Sequence, residues 1–179
     1  MQWRNTASRY GYVARALHWV IAAGIVAQYF LAEAAEDRNR ESVGVFTATG
    51  LHASIGITIL ALAALRVLWR MVELPPELPG TMQPYERVLA RSTHIAFYVL
   101  LFALPLTGWA LAGVDHQPVS FFGLFELPSL RFALSEDQLE EVHELLFNVL
   151  FGLAILHIAA AVKHHFFDRD NVLRTMLPW

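Results

Sequence analysis

Eight histidines and no cysteine set the chemistry open to this 179-residue chain. Without thiolates there are no disulfides, no iron–sulfur clusters, no thiolate haem ligation and no c-type haem attachment. Imidazole remains, and its placement is unusual. His143 and His157 stand fourteen residues apart in HELLFNVLFGLAILHIAAAVKHH, which ends at His164 and His165. At 3.6 residues per turn that interval is close to four whole turns, so both rings fall on one helix face, about 21 Å apart along the axis. Nearly everything between them is apolar.

The composition says what must carry these histidines. The chain is 56 % hydrophobic and 16 % charged, with a mean hydropathy of +0.42; soluble domains carry about 25 % charged residues. A net charge of -3 argues against nucleic acid as a partner. The length suits one domain over residues 1–179. Four apolar stretches, at about 16–34, 51–69, 93–113 and 143–163, are each long enough to cross a bilayer. Leu74-Pro-Pro-Glu-Leu-Pro-Gly80 breaks the second from the third. A longer connection from Asp115 to Gln138 carries Pro118, Pro128 and an FFGLF run suited to the membrane interface. The expected fold is all-α, a transmembrane four-helix bundle.

Loop charges orient it. Arg4, Arg9, Arg15, Arg66, Arg70, Arg87, Arg91, Lys163, Arg169 and Arg174 fall on the side of the termini; Arg38, Arg40 and Arg131 fall on the other, among many carboxylates. Ten basic residues against three predict cytoplasmic N- and C-termini. Trp3, Trp19, Trp69 and Trp109 lie near the span ends, as interfacial aromatics do. Basic residues, an apolar run and Ala32-Glu33-Ala34 mimic a signal peptide, but His18 and Gln28 interrupt that apolar run, so the first span is retained.

Topology then gives each histidine a depth. His52 and His143 form an outer layer and His18 and His157 an inner one, with His94 and His164 as further inner candidates; His116 lies in the outer loop. Ionisable groups inside a membrane are costly and usually functional. A haem iron takes two axial ligands, and two imidazoles at one depth on different helices can supply them. A zinc or copper site is the rival, but zinc takes about four close ligands, whereas these histidines are spread over two layers. Small residues at Gly24, Ala53, Gly56, Gly152 and Ala160-Ala161 suit close approach to a flat ring, although such residues are frequent in membrane helices. Arg15 and Arg66 can meet haem propionates or snorkel to lipid phosphate.

Several stretches together resemble the small di-haem cytochromes b561 of the bacterial inner membrane, whose characterised type is a superoxide oxidase. They are Ala16-Leu-His18-Trp19, Leu51-His52-Ala-Ser-Ile-Gly56, His94-Ile-Ala-Phe-Tyr98 with Leu104-Pro105-Leu-Thr-Gly108, and His143-Glu144 through His157 to His164-His165-Phe and Asp170-Asn-Val-Leu-Arg174-Thr-Met176. The likeness spans nearly the whole chain in the same order and is weakest in the outer loops. It implies that His18 and His157 hold an inner haem b and His52 and His143 an outer one. It also implies that His94 and His164 lie near ubiquinone at the cytoplasmic side. The activity implied is electron transfer from superoxide, or another donor, through two haems to membrane quinone. An anionic donor would be drawn by Arg38, Arg40 and Arg131. A cytochrome b subunit anchoring a hydrogenase or formate dehydrogenase is the alternative, and a non-redox four-helix scaffold is a third reading.

Overall fold

The computed structural model describes residues 2–36, 46–114 and 118–177. Four long helices carry it: α1 (Tyr12–Glu36), α2 (Ala48–Val72), α3 (Pro84–Ala112) and α4 (Glu136–Lys163). All four are long and apolar enough to cross a membrane. The last three outrun their apolar cores, with polar capping residues at their starts. Thr47 caps α2 by accepting from Gly50 N. A reciprocal Gln83–Glu86 box opens α3 with Pro84 in the first turn, and Ser135 with Gln138 does the same for α4.

Close packing runs from α1 to α2, α2 to α3 and α3 to α4. Ile21, Ile59, Ala63 and Leu101 form a buried cluster shared by the first three helices. Helices α1 and α4 meet through rings: His18 faces His157, and Tyr29 stacks with Phe147 and Phe151. Large apolar side chains such as Val26, Leu68, Val99 and Leu156 are exposed along every helix. That is the surface a hydrocarbon solvent matches.

The connection between α3 and α4 is not wholly irregular, which adds a small sheet to the expected all-helical plan. Strands β1 (Val119–Phe121) and β2 (Phe125–Leu127) pair antiparallel, Val119 opposite Leu127 and Phe121 opposite Phe125. The FFGLF run is thus a hairpin and its turn. Phe122 and Gly123 both have positive φ, 49° and 71°, which glycine adopts freely and phenylalanine does not. The Phe122 N–H donates to Ser54 Oγ (3.0 Å), and this fully buried serine donates in turn to the Gly50 carbonyl (2.9 Å). The hairpin is pinned to α2 two residues from His52.

At the opposite end α4 runs into one π-helical turn (His164–Asp168), closed by Arg169 in the left-handed region at φ 54°. A short helix α5 (Val172–Met176) follows and folds back on α1. Trp19 Nε1 donates to the Met176 carbonyl (2.9 Å), and Arg15 Nη1 to that of Leu177 (2.8 Å).

Candidate cofactor site

The histidines of α1, α2 and α4 form two pairs. His52 and His143 lie at the hairpin end of the bundle, with ring centroids 6.3 Å apart and planes at 63°. His18 and His157 lie toward the terminal end, at 6.4 Å and 64°. Helix α4 supplies one ring to each pair, while α1 and α2 supply one each. This follows from sequence spacing: fourteen residues return α4 to the same face, and antiparallel neighbours bring His18 and His52 to different depths.

The residues fit a metal held between imidazoles. A metal held between two imidazoles, about 2 Å from a nitrogen of each, would leave their ring centroids about 6 Å apart. Both pairs have that spacing. At the hairpin-end pair the two Nδ1 atoms have different surroundings. His52 Nδ1 is buried with no hydrogen-bond partner, and His143 Nδ1 lies 3.1 Å from Thr107 Oγ1. Gly108 faces His143 so closely that a Cβ there would lie 2.9 Å from its Cε1. Gly24 and Gly56 serve helix packing, with Ile59 and Gln28 as their near neighbours, while Gly152 has open space about it.

His94 on α3 also faces His157, at 5.9 Å and 66°, so His157 stands between two rings. Phe97 closes the same ring from its edge at 5.3 Å. His164 belongs to a different cluster. Its Nδ1 lies 2.6 Å from Asp170 Oδ2 and 3.0 Å from Asp168 Oδ2, and the side chain is buried. The π turn creates this contact: it bends the chain so that Asp170 N–H donates to the His164 carbonyl while the Asp170 carboxylate meets the His164 ring. Glu86, His164 and Asp168 bring ligand atoms within 4.8 Å of one another. The Lys163 ammonium already bridges the two carboxylates, at 2.5 Å and 2.8 Å, which makes this an ion-pair network.

Arg15 and Arg66 stand at the terminal end. Arg15 is engaged by the Leu177 carbonyl, and Arg66 Nη1 donates to that of Ala14 at 2.8 Å. Arg131 is exposed between β2 and α4; Arg38, Arg40 and His116 lie outside the described residues. Sequence reasoning missed Thr107 and Asp170 as partners of His143 and His164. Both stand within the stretches that carried the resemblance, yet neither has a helical spacing that points to its histidine.

Paired imidazoles inside an apolar helical bundle are an arrangement suited to a membrane cytochrome b, and comparison with known proteins gives the family. Residues 9–179 match the family model described as prokaryotic cytochrome b561, and the chain belongs to that family. It is 33 % identical over 179 residues to "Cytochrome b561 homolog 2" of Escherichia coli (strain K12), covering 99 % of this chain and 95 % of that one. It is 33 % identical over 130 residues to "Probable superoxide oxidase CybB" of Yersinia pestis, covering 72 % and 73 %. "Cytochrome b561 homolog 1" of Escherichia coli (strain K12) is 26 % identical over 164 residues, covering 90 % and 93 %. The protein is therefore a multi-pass inner-membrane electron-transfer protein of a family that binds haem b.

Proposed function

We propose that this protein is a di-haem b oxidoreductase that takes electrons at the periplasmic face and delivers them to ubiquinone near the cytoplasmic face. In this reading both termini are cytoplasmic, as the ten-to-three distribution of basic residues supports. His52 and His143 hold the outer haem, and His18 and His157 the inner one. The observation that carries the reading is the near-identity of the two pairs, 6.3 Å and 63° against 6.4 Å and 64°. His94 stands from His157 at a comparable 5.9 Å and 66°, so the choice of His18 as its partner rests on the family resemblance and on the match between the two pairs.

Bound haem supplies one-electron transfer through the bundle. The chain's residues supply the rest. The four imidazoles fix two positions across the membrane's thickness, and apolar helix faces keep water from them. His94 and His164 lie at the quinone end, and the His164–Asp170 pair can hold and pass a proton at Nδ1. Reducing one quinone to quinol consumes two electrons and two protons. With superoxide as donor, two superoxide ions each lose one electron and leave as dioxygen. The superoxide assignment rests on the likeness to the Yersinia pestis protein.

Purified protein tests the reading in two steps. Reduced-minus-oxidised spectra and haem quantification should give b-type haem at two per chain; a single haem or colourless protein would refute the paired site. Rapid mixing with superoxide and ubiquinone should then produce quinol. Full haem content without that reaction, together with co-purifying subunits, would point to an anchoring role in a larger respiratory complex.

A further inference from the structure

The Leu104-Pro105-Leu-Thr-Gly108 stretch of α3 carries no histidine, yet it lies against one. Thr107 Oγ1 is 2.9 Å from the Leu104 carbonyl and 3.1 Å from His143 Nδ1. A hydroxyl has one proton, and a carbonyl can only accept. The proton between the two oxygens must therefore be the threonine's. Thr107 Oγ1 is left as an acceptor toward the ring, and the proton on that second bond must come from His143 Nδ1. With Nδ1 protonated, the neutral ring carries its lone pair on Nε2. Gly108 allows the approach, since a Cβ there would lie 2.9 Å from His143 Cε1.

His52, the other ring of this pair, has no such partner on its buried Nδ1. We infer that Thr107 and Gly108 form a seat that holds His143 in the Nδ1–H tautomer with Nε2 free to ligate, making the two rings of the hairpin-end pair inequivalent. The inference rests on the proposed haem ligation by His52 and His143. Thr107 is a positioning residue. A hydrogen bond accepted from a ligating imidazole's far nitrogen raises that ligand's basicity, which favours ferric over ferrous iron and lowers the potential of the couple.

The test uses the haem-loaded full chain and its redox titration, with the hairpin-end couple identified as the one lost in His52→Ala. Thr107→Val removes the acceptor at nearly constant volume. It should weaken haem retention at this end about tenfold and raise that couple's potential, with a changed low-spin electron paramagnetic resonance signature. The other couple should not move, and Thr107→Ser should restore wild-type values. Should Thr107→Val fail to assemble, Thr107→Ala carries the same expectation. An unchanged potential and spectrum with both haems present would overturn the seat while leaving the ligation intact. Equal displacement of both couples, or failure of the serine variant to rescue, would overturn it in favour of a packing role. A wild-type protein lacking haem would overturn the ligation and the seat together.

Discussion

His143 and His157 share one face of α4, yet each meets a ring from a different helix, His52 on α2 and His18 on α1. One helix thus serves both layers. The two layers are linked by a rigid element about 21 Å long between the histidines, and each can be perturbed separately.

Replacing either α4 histidine separates the layers. His143→Ala and His157→Ala should each lower haem from two per chain to one, leaving the remaining haem six-coordinate. Pyridine haemochrome analysis of the purified variants reads the count. Retention of both haems in His157→Ala would redirect the terminal-end assignment to His94 and His18.

Gly108→Ala opposes two effects. Alanine is about 1 kcal/mol better than glycine inside a helix, so α3 itself gains. The new Cβ would press on His143 Cε1 at 2.9 Å, forcing the ring to shift. The expected result is unimpaired helicity with about tenfold weaker haem retention at the hairpin end. Circular dichroism and haem transfer to a competing apoprotein measure the two sides.

Asp170→Asn tests the cluster at the π turn. The amide keeps an acceptor for Val172 N–H, which the carboxylate now bonds at 2.9 Å, but removes the nearer of the two carboxylate charges beside His164. Haem content and spectra should stay as in the wild type. Quinol formation should fall about 100-fold, the scale of a lost general acid–base group, in a stopped-flow assay with ubiquinone. An unchanged rate would remove Asp170 from proton delivery.

Tyr10 lies just ahead of α1. Burial raises its phenol above the ordinary 10.0, against the opposing pull of Arg70 and Arg66. The folded protein therefore holds this proton at a pH where the unfolded chain releases it. Stability is full below pH 10 and falls as pH rises through and above that value. Ultraviolet titration should show one tyrosinate appearing late, absent in Tyr10→Phe. The alkaline loss of thermal stability should be shallower in that variant.

Much of this was legible in the chain. Apolar length gave the four spans, while the caps at Thr47, Gln83–Glu86 and Ser135–Gln138 that lengthen three of them came from the structure. Spacing placed His143 and His157 on one face, and alternation of direction put His18 and His52 at their depths. The β-hairpin was not visible, because it depends on Ser54 of α2 accepting from Phe122 N–H. Nor was the link between the two distinctive ends of the sequence: the tryptophan after His18 donates to the carbonyl of Met176 in the tail.

By itself the sequence determined which segments enter the membrane and how far along each helix every imidazole lies. Both follow from hydrophobicity and a fixed rise per residue, properties internal to one segment. Only the tertiary structure decided that His157 faces both His18 and His94, that Thr107 meets His143, and that a π turn brings Asp170 to His164. These depend on the rotation of each helix about its axis and on a local change of helical register. Both are set by how neighbouring side chains pack, which no spacing along a single chain records.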